Sequence, residues 1–155
     1  MPRAVVMLDA AVVLPAGARA AISGFLEELR APHHREALRG YVANSLFIPT
    51  DDQERKERVL EGMSSAPQHV MVSAFEGLRD YDPAEATGGL AMPAAYIAAD
   101  ELQPRSDMAC FHELAPQALY GKTVGSGHFC QLEVPEQVNA MIDRFLAISQ
   151  RGRHP

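Results

Sequence analysis

The 155-residue chain is 47% hydrophobic and 22% charged with a net charge of −6, the profile of a globular domain with a sizeable core. No apolar run approaches the roughly 18 residues a membrane helix needs, and no basic patch is dense enough to suggest nucleic acid. These features exclude a membrane-spanning helix and argue against a nucleic-acid partner; the expectation is a cytoplasmic protein. Cys110 and Cys130 are far apart and lack metal-site spacing, which fits two buried thiols in a reducing compartment, with no metal and no cofactor expected.

In chain order, Ala4–Leu8 is a short apolar run ending at Asp9, as a buried parallel strand requires. Arg3 is the one basic residue before it, which makes a secretory signal a weak reading. Ile22, Phe25, Leu26 and Leu29 recur at helical spacing, which predicts a helix over 17–30 stopped by Pro32. Leu38, Tyr41, Val42 and Leu46 form a second stripe. Thr50 with Gln53 predicts a capping box for a third helix, whose charged body is Glu54–Arg58, a solvated face. Ser65 with Gln68 predicts another box, opening a fourth helix with Met71, Ala74, Phe75 and Leu78 inward. Asp82, Pro83 and Glu85 open a short fifth helix that Gly88 and Gly89 end.

Ala94–Ala98 then reads as a second strand, 105–118 as a helix and Leu119–Val124 as a third strand. Gly125–Phe129 is a glycine-rich loop. Pro135 opens a last helix with Val138, Met141, Ile142 and Phe145 on one face, and a tail from Gln150 is expected to fray. This order implies an α/β fold of about three parallel strands, with crossover helices closing it. About 80 residues separate the first two strands, more than a plain crossover, so the helices between them form an inserted cap. The expected divisions are a first strand and connection over 1–15, a helical cap over 16–90, a core with the glycine-rich loop over 91–149, and a tail over 150–155. A three-stranded sheet with an apolar edge is incomplete as a fold.

The stretch Pro2–Ala11 resembles the strand that follows the nucleophile-bearing helix in α/β-hydrolases. Val124–Asn139, with Gly125-Ser126-Gly127-His128 followed by Glu133-Val134-Pro135 and a helix, is similar to that superfamily's histidine loop. Together the two matches span nearly the whole chain, and the helices between them match the family's lid. The resemblance implies the C-terminal part of the fold. The family's Gly-x-Ser-x-Gly elbow and oxyanion-hole loop stand before this strand and are absent from the sequence.

The resemblance makes His128 the general base of a nucleophile–histidine–acid triad, against the plainer role of a loop histidine that caps or packs. His33, His34, His69, His112 and His154 have no ligand spacing and read as ordinary surface or packing residues. For the acid the sequence offers more than one position. The family places it three residues after a glycine, where this chain has Ala99 and then Leu102. Asp100 and Glu101 stand nearby, each one register slip away. Some branches, including certain haloalkane dehalogenases, place the acid after the earlier strand, at the position of Asp9. The order of candidates is Asp9, Asp100, Glu101; the plainer role for each is a strand-end carboxylate that caps the next segment. Ser126 and Cys130 adjoin His128 too closely to act as its nucleophile. Met63, Met71, Phe75 and Phe129 could line an acyl pocket, although cap-helix core is the simpler reading of the first three.

Two functions follow as expectations. One is a hydrolase of a small ester, lactone or similar small-molecule substrate, in which this chain supplies lid and histidine and is inactive alone. Its partner would be the N-terminal half of the same fold. The other is a non-catalytic half-domain that dimerises and binds a hydrophobic ligand or partner. Dehalogenase or perhydrolase chemistry on the same scaffold also stays open.

Overall fold

The structure, a computed structural model, describes residues 3–88 and 90–151. The chain divides into two compact units. One joins the residues up to Leu14 with those from Asp82 onward; the other is Pro15–Tyr81.

The first unit is built on three parallel strands, β1 (Val5–Leu8), β2 (Ala94–Ala98) and β3 (Leu119–Lys122), in the order β1-β2-β3. Val5 pairs with Ala94 and Leu8 with Ile97; Ala95 pairs with Leu119 and Ala98 with Lys122. Every residue of β2 is buried, as its interior position and continuous apolar run require. β1 is half-buried throughout and has β2 as its one strand partner among the described residues. The sheet is thus a partial α/β arrangement of three strands with helices.

Tyr96 and Ala98 pack with Val13, Phe111 and Ala115 into one core cluster. Phe111 comes from a helix (Met108–Leu114) much shorter than the predicted 105–118. Asp107 caps it by accepting the Cys110 N–H at 3.1 Å. The residues before it cannot join the helix because they are tied to the segment after β1: Val13 N donates to Ser106 Oγ at 2.8 Å and Asp107 N to Val13 O at 2.8 Å. On the other side, Ala95, Ile97, Leu119 and Gly121 line an apolar groove of about 520 Å³ against the C-terminal helix (Pro135–Arg151). That helix takes in Gln150 and Arg151 of the predicted tail. The third strand ends at Lys122, two residues before its predicted end, and Thr123 N makes the last bond of the ladder, to Ala98 O at 3.0 Å. A short helix at Pro83–Gly88 also groups with this unit rather than with the helices before it. Gly89 and His154 lie outside the described residues.

The second unit holds four helices: Ala18–Arg30, His34–Ser45, Gln53–Ser64 and Gln68–Asp80. In chain order, these four become α1 to α4, the Pro83 helix α5 and the Met108 helix α6. Leu26 and Leu29 of α1, Leu38 and Val42 of α2 and Met71 of α4 are buried on the predicted stripes; Leu60 of α3 joins them without having been predicted, and Ala74 of α4, predicted inward, is exposed. Phe25, Tyr41 and Phe75 form a ring cluster with centroids 4.8–5.6 Å apart. Two capping predictions shift. Asp52, not Thr50, caps α3 by accepting the Arg55 N–H at 2.8 Å. Ser65 does not cap α4, and Gln68 instead donates to Leu29 O and Ala31 O, closing the end of α1. Met71 and Phe75 are packed within the unit, whereas Met63 is exposed.

Candidate active site

Because all three strands run parallel, the segments after them meet at one edge of the sheet. Asp9 follows β1, Ala99 and Asp100 follow β2, and the glycine-rich loop follows β3. Asp9 N still donates to Ile97 O at 2.8 Å, extending the ladder by one residue. The backbone then breaks into a left-handed conformation at Asp9 itself, φ 42°, which is uncommon for any residue other than glycine and is best tolerated by Asp and Asn. This turn sends the Asp9 side chain inward.

The Asp9 carboxylate is 3% exposed and fully engaged. One oxygen, Oδ1, accepts the Ala99 N–H at 3.0 Å. The other, Oδ2, accepts from His128 Nδ1 at 2.8 Å and lies 3.7 Å from Arg105 Nε. A carboxylate on Nδ1 leaves Nε2 as the ring's basic nitrogen. His128 is 27% exposed, so the ring is reachable from solvent.

The loop that presents His128 is held on every side. Gly125 adopts φ 70°, a turn a side chain would strain. Buried Thr123 donates through Oγ1 to Ala98 O at 3.1 Å and shares a 2.6 Å hydrogen bond with buried Ser126. Gln137 brackets Val124, accepting from its N and donating to its O. Glu133 accepts the Gly127 N–H at 2.7 Å, immediately before His128. That contact is the physical content of the Glu-x-Pro spacing: the glutamate fixes the loop and the proline opens the final helix, α8. Between them Cys130–Glu133 forms a short helix, α7, which the sequence reading did not predict.

Asp100, the second candidate acid, is not beside His128. It accepts the Gly125 N–H at 3.0 Å and pairs with Lys122 Nζ at 2.9 Å; the first contact above all, and then the lysine, hold its carboxyl below the usual carboxylate range. Asp100 N also donates to Ser126 O at 3.0 Å. Its role in the structure is to staple the histidine loop to β2. Glu101 instead binds Arg105 NH2 at 2.7 Å. Sequence reasoning passed over Arg105; the Glu101–Arg105 spacing of four was the one signal available. Cys130 is fully buried, and burial followed by the Asp9 charge pushes its thiol up. Neither it nor Ser126 is presented as a nucleophile. Leu102, at the family's usual acid position, is fully exposed. Among the described residues no cluster of His, Cys, Asp or Glu has the arrangement of a metal site, and no helix is long and apolar enough to cross a membrane.

No protein-family model and no curated protein sequence matches the chain. Solved structures do. An enol-lactonase from Burkholderia xenovorans LB400 superposes with a TM-score of 0.73 at 16% identity, over 94% of this chain and 56% of that one. A thermophilic esterase from Thermogutta terrifontis gives 0.76 at 18% identity, over 95% and 56%. A bromoperoxidase from Bacillus anthracis gives 0.76 at 15%, over 94% and 58%. The chain therefore spans little more than half the length of these proteins, and at such identities the likeness speaks for the fold alone. Its three parallel strands and their helices have the architecture of part of an α/β-hydrolase fold.

Proposed function

We propose that this chain supplies the catalytic histidine and its orienting acid to an α/β-hydrolase acting on a small ester, lactone or similar acyl compound. The observation that carries this reading is the buried Asp9 carboxylate on His128 Nδ1 at 2.8 Å. That contact fixes the tautomer with Nε2 free to take a proton from a nucleophile and return it to the leaving group. The four-helix unit, inserted between β1 and β2, is the candidate cap. The histidine and acid cannot act without a nucleophile and oxyanion donors, which must come from residues other than these 155. Their source would be the N-terminal half of the same fold, and its strands would meet the outer edge of β1. The two free thiols fit a cytoplasmic setting.

The test measures turnover of an activated ester by the chain alone and by a preparation that also contains a nucleophile-bearing N-terminal half. Turnover is expected only in the second. His128→Ala should lower kcat there by about 10³–10⁴-fold, and Asp9→Asn should follow it closely. Asp100→Asn should cost less than about tenfold, since its carboxylate touches the loop and not the ring. Activity unmoved by His128→Ala would end this reading.

A second reading, a non-catalytic half that dimerises and binds an apolar ligand, is favoured by the groove between α8 and the sheet. Ligand-induced dimerisation unaffected by His128→Ala, with no turnover in either preparation, would select it.

A further inference from the structure

Arg105 sits where two loops of the sheet's carboxyl edge meet. Its Nε lies 3.7 Å from Asp9 Oδ2, the same oxygen that receives His128 Nδ1. Its NH2 lies 2.7 and 2.8 Å from the two oxygens of Glu101, whose side chain is 13% exposed. The next residue, Ser106, is fully tied to Val13 through its hydroxyl, and Asp107 N donates to Val13 O. The Arg105 backbone is therefore anchored beside the 9–13 segment independently of its side chain. Tyr96 adds a further tie from below, donating its hydroxyl to Ala10 O at 2.7 Å.

The charge count at Asp9 explains why an arginine is there. A carboxylate this deeply buried is stabilised by an opposite charge beside it as well as by its N–H donors. Ala99 N–H donates to Oδ1 and His128 to Oδ2, and the Arg105 guanidinium adds its positive charge 3.7 Å from Oδ2, an ion-pair distance. The guanidinium is planar and always charged, so it holds one direction while Glu101 fixes its far end. Of the other charged groups nearby, Glu133 is engaged by Gly127 N, and Asp100 by Gly125 N and Lys122. None of these replaces the arginine at Oδ2.

We infer that Arg105 is a positioning residue for the proposed triad: held by Glu101, it fixes the Asp9 carboxylate in the orientation that receives His128 Nδ1. This rests on the hydrolase reading for its consequence in catalysis, while the positioning itself is a property of this chain.

The test is proton NMR of the full chain, following the low-field Nδ1–H of His128. That resonance should be present in the parent chain and lost in Asp9→Asn. In Arg105→Met it should broaden or shift upfield, with backbone amide resonances of the three strands unchanged, and Arg105→Lys should restore part of the change. Glu101→Gln, which releases the far end of the guanidinium while keeping the space filled, should move it the same way by less; this variant carries the test if Arg105→Met fails to fold. In the reconstituted hydrolase, Arg105→Met should lower kcat about tenfold with KM within about twofold. An unchanged Nδ1–H in folded Arg105→Met and in Glu101→Gln would overturn the inference and leave the Asp9–His128 pair standing. A resonance that Asp9→Asn does not affect would overturn both the inference and the triad reading beneath it.

Discussion

At the scale of single residues, the candidate site turns on which carboxylate the histidine meets. Asp9 and Asp100 both follow strands of one parallel sheet, and both were candidates for the acid. The structure separates them by what each carboxylate touches: His128 and the Ala99 amide for Asp9, the Gly125 amide and Lys122 for Asp100. Asp9→Asn is the informative substitution because asparagine also tolerates the left-handed backbone at this position, so the charge is removed without straining the turn. Asp100 makes a separate prediction about pH. Its folded-state carboxyl lies below the usual range, so the stability it contributes is fully present above the unfolded carboxyl's titration. That contribution disappears as pH falls through the folded value, below about pH 4. Because the side chain is 41% exposed, solvent screens the effect and its size is small. Acid unfolding followed by circular dichroism should show a shallower loss below that pH in Asp100→Asn than in the parent; identical acid limbs would contradict the assignment.

At the scale of elements, the histidine loop is tied at several points, with Thr123, Gln137, Glu133 and Asp100 each closing a hydrogen bond onto it. Its one conformational demand is at Gly125, where φ is 70° and an added Cβ would meet nothing within 4 Å. Gly125→Ala should therefore cost conformational energy alone, about 1 kcal/mol, read as a fall of a few degrees in Tm. A larger cost would mean that the loop depends on a contact not seen at this glycine. In the reconstituted enzyme the same change should lower kcat more than KM, since it displaces His128 rather than the substrate. The helices of the second unit were easier to foresee. Leu26, Leu29, Leu38, Val42 and Met71 fall on the stripes that their spacing defines, because a 3.6-residue period marks the buried face directly.

At the scale of the whole molecule, the three-stranded sheet places β1 at an edge with an apolar sequence and no further strand among the described residues. Such an edge offers unpaired backbone groups to any strand that reaches it. The expectation is that these 155 residues, purified alone, sediment as a dimer or larger species, or are recovered with a second polypeptide. Amide hydrogens of β1 should then exchange slowly in the assembly and faster on dilution. A stable monomer whose β1 amides exchange as slowly as those of β2 would show that the edge needs no cover.

The sequence by itself determined the α/β class, the strand positions, the helical insertion and the loop bearing His128. These rest on local period, on glycine and proline punctuation, and on a motif whose spacing is set by short-range geometry. It ranked Asp9 first among the acids without deciding between it and Asp100. Only the tertiary structure shows which of the two meets His128, because the parallel register of β1 on β2 brings Asp9 to a histidine 119 positions away while Asp100 turns back onto Gly125. The same holds for Arg105 and Ser106, whose partners Asp9 and Val13 lie more than ninety residues upstream and are joined to them by pairing across the sheet. Long-range pairing has no period in the sequence, so contacts that depend on it become visible only once the strands are side by side.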